Sequence, residues 1–433
     1  MAKHIRYFET EAEFNQAREN EYVEPWVSYT EGEGVNYNKS KDEKLLETPF
    51  TIEALGSGNI SWNLKTKTLQ YSKNGGGWTT MDSATTITVV QGDEIQFKGN
   101  NSSYSYYDDD ELEYVGNNLI STVDCNVYGN IMSLTDGDNF ENADTINEYA
   151  FYYLFSDYWG ETGFRVVNAK NLKLPVMVLA DYCYTYMFYG CTNLITAPEL
   201  PATTLAESCY NSMFQGCTSL TTAPSVLPVT TLANRCYAYM FYGCTSLTAA
   251  PELPATTLMQ SCYQSMFKGC TSLTTAPELP ATALTSYCYQ YMFLGCTNLI
   301  TAPELPATAL AERCYYGMFQ GCTNLTTAPE LPATALTTSC YCCMFSNCKN
   351  LTTAPVLPAT TLVSNCYSYM FDGCTNLNYI KAMFTITPSA TYTSNWVSGV
   401  AATGTFVKNS AAVWDVSGAN GIPTGWTVQT ATE

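Results

Sequence analysis

The stretch CYQSMFKGCTSLTTAPELP, residues 262–280, recurs with small changes along nearly half of the chain. Aligning its two cysteines gives eight copies at a step of 26 residues, with a single step of 27. The first cysteines lie at 183, 209, 236, 262, 288, 314, 340 and 366, and each second cysteine follows eight residues later. Copies at one fixed period indicate a solenoid, because one unit cannot bury its own apolar face and stacking closes a continuous core.

Each unit carries a stripe of apolar residues at four-residue steps, as in Leu205, Cys209, Met213 and Cys217. This spacing predicts a short helix. The Thr-Thr-Ala that follows is β-prone, and the next proline lacks an N–H group, so we expect a strand of about three to five residues. The sequence therefore predicts a mixed α/β fold, a parallel solenoid with one short strand and one short helix per unit.

The recurring pattern LP…L…CY..MF.GC..L resembles the BspA-type leucine-rich repeat of bacterial surface proteins. The resemblance runs from Leu174 to about Leu377. The units depart from that family's pattern in having Met-Phe where it has Ala-Phe, in the added first cysteine, and in a few extra residues per unit. The resemblance implies a leucine-rich-repeat solenoid with a binding or adhesion role and without enzymatic activity.

The segment before the repeats has a different pattern. Residues 49–136 contain short alternating β runs separated by turn signals, with KNGGGW at 73–78 as a hairpin turn, and they predict an antiparallel β-sandwich. Residues 1–48 match neither pattern and predict a docking arm that is ordered by a partner. Packing of this arm on the sandwich is the alternative. The aromatic residues proposed for docking are Trp26, Tyr29 and Tyr37.

The two ends of the repeat array are expected to be capped. Residues 137–175 contain an imperfect copy, in which Ala150 occupies the position of the first cysteine, and they predict an N-terminal cap. Eight units fill 176–378, and the Gly- and aromatic-rich residues 379–433 predict a C-terminal cap. Exposed ends of a solenoid would otherwise aggregate.

Charge and hydropathy limit the partners. The chain of 433 residues has a formal net charge of −20, which repels phosphate backbones and anionic lipid surfaces, so neither nucleic-acid binding nor membrane insertion is predicted. No run approaches the roughly 18 apolar residues of a membrane span, and the N-terminus lacks the apolar run of a signal peptide. The sequence leaves open whether the protein forms a homo-oligomer.

Catalytic patterns are missing from the sequence. His4 is the single histidine, so a Ser/His/Asp or Cys/His arrangement would have to use it. The GGG at 75–77 lacks the Lys-Ser/Thr of a phosphate-binding loop. We therefore predict no catalytic residue, no cofactor site and no metal site, and expect a protein that is not an enzyme.

The 19 cysteines are predicted to be reduced, buried packing residues. On a helix, two cysteines eight residues apart would lie about 12 Å from each other, too far for a disulfide. Disulfides between units and metal binding are the alternatives. In one unit, CYCCMFSNC, the positions of Cys342 and Cys343 are variable in the other units, so the redox state of Cys340, Cys342, Cys343 and Cys348 stays open.

Acidic residues form a second regular column. One glutamate recurs in the PEL motif of five units, and we interpret this column as solvated charge, with Ca²⁺ or a basic partner as the alternative. These residues are Glu199, Glu252, Glu278, Glu304 and Glu330. The acidic run YDDDELE at 107–113 is likewise interpreted as a solvated turn.

Positions that vary on the fixed apolar frame are the candidates for recognition. Many of them are tyrosine, which offers apolar area and a hydroxyl group at low entropic cost. The possible ligand-binding surface comprises Tyr186, Tyr189, Tyr239, Tyr242, Tyr291, Tyr316 and Tyr369, with Tyr182 and Tyr287 beside it. Unconstrained solvent exposure would produce the same variation and is the alternative.

The order of arm, sandwich, repeats and Gly/Trp-rich end resembles proteins encoded by gut anaerobes and their bacteriophages. Together with the lack of a signal peptide, this predicts a non-enzymatic virion component at the virion surface, such as a head fibre or tail-associated protein. It would contact virion proteins through the arm and a host cell-surface glycan or protein through the repeats. A bacterial cell-surface leucine-rich-repeat adhesin is the alternative.

Overall fold

The computed structural model describes residues 27–30, 34–37, 40–64, 67–108, 113–156 and 164–431. Within 27–39 and 105–116 only the backbone is described, and elsewhere the side chains are described as well. Two antiparallel hairpins belong to the parts described by backbone alone. They are β1 (Val27–Thr30) with β2 (Gly34–Tyr37), and β9 (Ser105–Asp108) with β10 (Glu113–Gly116). Helix α1 (Lys41–Leu46) begins at Ser40, whose side chain forms a capping box with Glu43.

The chain before the repeats forms two larger sheets. Their strands are β3 (Thr51–Ala54), β4 (Gly58–Trp62), β5 (Leu69–Lys73), β6 (Thr79–Met81), β7 (Thr86–Val89), β8 (Glu94–Lys98), β11 (Leu119–Ser121), β12 (Cys125–Asn130) and β13 (Val166–Lys173). One sheet has the order β13-β12-β3-β8-β5-β6 and the other β11-β4-β7. All pairs are antiparallel except β12 with β13, so the larger sheet is mixed.

Local sequence explains the hairpin between β5 and β6. The predicted turn at KNGGGW joins these two strands, which pair from Leu69 with Met81 to Tyr71 with Thr79. Asn74 and Gly75 have φ angles of 52° and 71°, the left-handed conformation that a tight turn between twisted strands requires.

Aromatic residues of the two sheets contact each other. Trp62 of β4 and Phe97 of β8 are almost fully buried, and their rings meet edge to face at 5.5 Å. Helix α2 (Ser133–Asp136), followed by a 3-10 helix (Gly137–Asn142), closes one end. The Ser133 hydroxyl accepts from the Phe50 N–H and donates to the Phe97 carbonyl, which ties the helix to the sheet.

Strand β13 connects this unit to the repeats. On one side it pairs in parallel with β12, and on the other Asn168 forms a parallel bridge with Thr196 of the first repeat. The imperfect copy also joins the stack, because the Phe151 N–H donates to the Cys183 carbonyl at 2.8 Å. Ala150 is fully buried in the position that cysteines occupy in the repeats.

Each repeat contains a ten-residue turn segment that ends just before its second cysteine. The turn segments are 181–190, 207–216, 234–243, 260–269, 286–295, 312–321, 338–347 and 364–373. Alternate N–H groups donate to the next repeat, as from Tyr184 to the Cys209 carbonyl at 3.0 Å. The N–H groups between them close local turns, as from Met187 to the Tyr184 carbonyl at 3.2 Å. Successive repeats are therefore joined by backbone hydrogen bonds along the whole turn segment.

The prediction of a helix in each repeat is wrong. Between residues 174 and 388, all of which are described, the chain contains no α-helix. Every fourth residue of a turn segment has positive φ, as in Ser208, Ser212 and Gly216 at 53°, 54° and 77°, and a right-handed helix cannot continue through such residues. The apolar stripe nevertheless recurs at four-residue steps, because the backbone itself repeats every four residues.

The strand expected in each repeat is shorter than predicted. Thr275, Thr301 and Thr327 form single parallel bridges from one repeat to the next rather than strands of several residues. Pro277 follows Thr275 after one alanine and has no N–H group, so the pairing cannot extend in that direction.

The C-terminal residues continue the stack with new elements. Strands β14 (Tyr379–Ala382), β15 (Thr405–Lys408) and β16 (Thr427–Thr430) pair in parallel, and helix α3 (Ala390–Thr393) lies between the first two along the chain. The ring of Phe384 stacks on that of Trp414 at 5.2 Å and meets Trp396 at 5.9 Å. These buried aromatic rings pack next to Tyr367 of the last repeat.

Candidate functional site

The inward side chains of the turn segments form regular ladders. The tyrosine after each first cysteine is buried and stacks on its neighbours with ring centroids 5.6–6.0 Å apart. The phenylalanine four residues later does the same at 5.4–5.8 Å. These ladders fix the spacing of the repeats and therefore the spacing of the side chains that point outward.

The cysteines are part of this interior. All are free thiols, and Cys343 is half-buried whereas the others are buried. Each second cysteine donates to the carbonyl of the phenylalanine in the preceding copy, as from Cys270 to Phe241 at 3.1 Å. Burial raises the pKa of thiols in the two cysteine columns, for example that of Cys209 to about 12. A buried, protonated thiol is a poor nucleophile, so these cysteines serve in packing.

The outward positions of the turn segments carry most of the predicted recognition residues. We call the set of outward tyrosines the tyrosine face. It comprises Tyr182, Tyr186, Tyr189, Tyr239, Tyr242, Tyr287, Tyr291, Tyr316 and Tyr369. All are half-buried except Tyr369, of which 41% is exposed. The structure therefore places the predicted tyrosines on adjacent outward columns of the repeat array.

Several of these tyrosines occupy strained backbone positions. Tyr186, Tyr239, Tyr291 and Tyr369 share one column and have φ angles of 55° to 58°. A non-glycine residue costs about 1–2 kcal/mol in this left-handed conformation. The next repeat after Tyr291 has Gly317 in this column, which shows that the frame accepts a residue without a side chain. The bulky tyrosines are therefore not required by the backbone.

A connected cluster lies at the centre of the tyrosine face. The ammonium group of Lys268 lies 5.1 Å from the ring centroid of Tyr242 and 5.7 Å from that of Tyr291. Tyr239 meets Tyr242 at 6.4 Å, and Tyr291 meets Tyr316 edge to face at 5.2 Å. Four aromatic rings and one cation thus form a continuous surface across four consecutive repeats, which we call the central cluster.

Glycine makes room for the central cluster. A Cβ atom on Gly317 would lie 2.5 Å from Cε1 of Tyr291, so the tyrosine ring occupies the space that a side chain would need. Burial raises the pKa of Tyr291 and of Tyr316. Both hydroxyl groups therefore stay protonated at neutral pH and can donate as well as accept hydrogen bonds.

Further contacts extend the tyrosine face in both directions. Towards the N-terminus, Tyr186 stacks on Tyr153 at 4.5 Å and meets Tyr189 at 5.6 Å. Towards the C-terminus, the Asn395 amide donates to the Tyr369 hydroxyl at 3.4 Å. Tyr153 belongs to the imperfect copy and was not among the predicted recognition residues. The signal for it is its position three residues after Ala150, as Tyr186 lies three residues after Cys183.

Two cations of the tyrosine face were also missed. Lys268 stands in the column of Tyr189 and Tyr242, but its contact with Tyr291 depends on which columns become neighbours after stacking. The guanidinium of Arg313 lies 5.6 Å from the ring centroid of Tyr287 and donates to its hydroxyl at 3.3 Å. Both contacts join neighbouring repeats, so they follow from the stacking and not from local sequence.

Other predicted features lie away from this surface. The glutamates of the PEL motif are exposed, and Glu252 and Glu278 line a shallow cleft of about 500 Å³ together with four prolines. In the part of the chain that the structure describes, no group of three His, Cys, Asp or Glu side chains is arranged to hold a metal ion. Trp26 and the side chains of Tyr29 and Tyr37 lie outside the described residues, as does most of the docking arm.

The stacked copies define a repeat protein with parallel, in-register units. The family model of the BspA type leucine rich repeat region matches residues 121–240, 237–328 and 311–396. The matched segments together span more than half of the chain, and the protein belongs to this family. Repeats of this type are found in surface-associated proteins that bind or adhere.

Comparison with individual proteins adds nothing to the family assignment. No curated protein and no solved structure matches this chain. Within the described ranges, no helix is both long and apolar enough to cross a lipid bilayer.

Proposed function

We propose that this chain is a non-enzymatic binding protein that recognises a host cell-surface glycan or protein through its tyrosine face. The observation that carries the proposal is the column of tyrosines at positive φ, where serine or glycine serves in other repeats. Side chains that cost backbone energy and are not needed for packing indicate selection for contact with a ligand.

The chemistry of the central cluster suits such a ligand. Tyrosine rings offer flat apolar area for the C–H faces of sugars or for apolar side chains, and the protonated hydroxyls add directional hydrogen bonds. Lys268 contributes a cation that neighbouring rings orient, in a chain of net charge −20. The ligand is therefore expected to be amphipathic and to carry hydrogen-bonding groups or partial negative charge.

We also propose that the fold is a solenoid of stacked repeats, preceded along the chain by a β-sandwich. The parallel bridges and the turn-segment hydrogen bonds support the solenoid, and the aromatic contact of Trp62 with Phe97 supports packing of the two sheets on each other. A rigid stack would hold the tyrosine face in one geometry, which lowers the entropic cost of binding.

We further propose that the protein is a bacteriophage virion component, a head fibre or tail-associated protein, held by its N-terminal arm. The order of segments along the chain supports this assignment. A bacterial cell-surface adhesin is the second candidate, and family membership favours it. Mass spectrometry of purified particles separates the two, because a virion component is present at stoichiometric amounts whereas an adhesin is found in the bacterial envelope fraction.

The binding test compares the full-length protein with the double variant Tyr239→Ser/Tyr291→Ser. Serine occupies the same column at Ser212 and Ser265 with φ of 54°, so the variant should fold. Ile300→Thr is the matched control, since Ile300 is 50% exposed outside the turn segments and threonine fills the equivalent positions 326 and 352. The probes are a glycan array and a panel of intact bacterial cells, with and without protease treatment.

Loss of both aromatic side chains should weaken binding about tenfold or more, because tyrosines that become buried at an interface are typical hot spots. The control should bind like the unchanged protein. Equal binding by all three proteins would contradict the role of the tyrosine face. Release of sugars or peptides from the probes by the unchanged protein would contradict the non-enzymatic assignment.

A further inference from the structure

The seventh turn segment, residues 338–347, contains two adjacent cysteines that differ from all others in the chain. Cys342 and Cys343 occupy the columns that hold Ser368 and Tyr369 in the next repeat. Their sulfur atoms lie 3.6 Å apart. No other repeat has a cysteine at either position, so the recurring apolar frame does not account for this pair.

The backbone holds the pair in place. The Cys343 N–H donates to the Ser368 carbonyl and the Cys342 carbonyl accepts from the Gly317 N–H, both at 2.8 Å. Cys343 has a φ of 57°, the left-handed conformation of its column. Because the peptide that joins Cys342 to Cys343 is bound to a neighbouring repeat on each side, the stack fixes the backbone of the pair.

Accessibility distinguishes the two thiols from each other. Cys342 is buried, whereas Cys343 is the half-buried cysteine of the chain. A reagent from solution therefore meets Cys343 first, and the buried Cys342 sulfur lies 3.6 Å from the Cys343 sulfur. Nucleophilic attack on a small molecule requires such access.

The surrounding groups favour a thiolate on Cys343. Its pKa is lowered, first by a hydrogen bond from the Cys342 thiol and further by the Tyr316 hydroxyl, while burial and the negative charge of Asp372 act in the opposite direction. The pKa of Cys342 is raised, first by the same hydrogen bond with Cys343.

Two other groups face the pair. Arg313 favours the charged form of the Cys342 thiol, and Tyr291 lies close enough for its own pKa to be raised by both cysteines. When the pair loses one proton, the negative charge is therefore favoured on Cys343, the more exposed of the two.

We propose that Cys342 and Cys343 are a reactive dithiol site, in which Cys343 attacks low-molecular-weight disulfides and Cys342 completes the exchange. Every other cysteine of the chain is a buried packing thiol, so the reaction is confined to this pair. The site lies within the outward surface that carries Tyr291 and Tyr316.

The exchange proceeds in two balanced steps. The Cys343 thiolate attacks one sulfur of the disulfide RS–SR, forms a mixed disulfide and expels RS⁻. Cys342 then gives its proton to a thiolate or to water and attacks the Cys343 sulfur, which expels the second RS⁻. Counting the proton that Cys343 released to form its thiolate, the two cysteines lose two electrons and two protons, and the two RS⁻ ions take up these protons to give two thiols.

The product should be easy to reduce. Adjacent residues have Cα atoms about 3.8 Å apart, less than the roughly 4.4 Å of an ordinary disulfide, so the ring is strained. Strained disulfides have more oxidising potentials and are labile. The modification is therefore reversible by added thiol, and its mixed-disulfide intermediate places a new group beside Tyr316.

The test uses the full-length reduced protein and bis(2-hydroxyethyl) disulfide as the probe, with intact and peptide mass spectrometry. The unchanged protein should lose two hydrogen atoms, located in the peptide that contains Cys342 and Cys343. Cys342→Ser should accumulate the mixed disulfide on Cys343, and Cys343→Ser should not react. Serine occupies both columns in other repeats, at Ser368 and Ser265, so both variants retain a compatible residue.

A pH series adds a readout that accessibility alone would not change. The rate should reach half its maximum below the ordinary thiol pKa of about 8.5, and Tyr316→Phe should move that midpoint upward by removing a hydrogen bond to the thiolate. Equal reaction of Cys343→Ser, a stable adduct on unchanged protein, or modification spread over the buried cysteines would each overturn the proposal. Circular dichroism of each variant confirms that it is folded.

Discussion

Replacing Phe293 by alanine tests whether the inner ladder holds the repeats together. The ring is fully buried and stacks between Phe267 and Phe319 at 5.7 Å on each side. Removing a buried phenylalanine costs about 3–5 kcal/mol, and each aromatic pair accounts for about 0.5–1.5 kcal/mol beyond the buried area. The neighbouring Leu294→Ser is the control, because that side chain points outward and serine fills its column at Ser346.

Hydrogen exchange measures this loss where it occurs. Each repeat contacts its neighbours only, so the stability of the damaged repeat falls more than that of distant ones. The Phe267 N–H, bonded to the Met292 carbonyl at 2.9 Å, should exchange at least about a hundredfold faster in Phe293→Ala. Leu294→Ser should change its exchange less than about fivefold. Equal exchange in the two variants would refute the inference that the buried ladder stabilises the stack.

Three further substitutions test individual contacts. Gly269→Ala should cost about 1–2 kcal/mol of unfolding free energy in urea titrations, because φ is 75° but a Cβ atom meets nothing closer than 3.7 Å. Gly317→Ala should cost more and change the near-ultraviolet dichroism, since it displaces the Tyr291 ring; similar costs for both would contradict the predicted overlap. Hydrogen bonds from Asn74, then Lys73, lower the pKa of Asp93 to about 2, so its contribution to stability should be lost as pH falls from about 4 to 2. Asp93→Asn should reduce the dependence of unfolding free energy on pH in this range. An unchanged dependence would contradict the role of Asp93.

The repeat and its register could be predicted from sequence because they depend on spacing alone. The cysteine columns fixed the 26-residue period, and the family match covers the segment that they define. Burial of Met266 and Phe267 followed from the same columns. Such features need no knowledge of backbone conformation.

The local conformation of the turn segment could not be predicted by the same means. A helix and a backbone that repeats every four residues place Leu205, Cys209 and Met213 on one side equally well. What separates them is the strict step of four without the three-residue steps of a 3.6-residue helix. The residue before each second cysteine, a glycine in every repeat except the seventh, where it is Asn347, is one of three left-handed residues in the segment.

Contacts between repeats were harder to foresee than contacts within them. The tyrosines were found because they recur in columns, but the place of Lys268 between Tyr242 and Tyr291 depends on which columns become neighbours after stacking. The space above Gly317 is occupied by a ring from the preceding repeat, and nothing local to Gly317 indicates it. The sequence therefore predicts which residues form the surface, whereas the contacts between them in neighbouring repeats come from the structure.

The central claim, that the tyrosine face is the binding surface, is tested most directly by saturation binding to intact host bacteria. The unchanged full-length protein, Tyr239→Ser/Tyr291→Ser and Ile300→Thr are titrated onto the strain that binds best in the panel. The account predicts that the double variant binds about tenfold more weakly or worse, while Ile300→Thr is unchanged. Binding by the double variant with the same dissociation constant as the unchanged protein would contradict it.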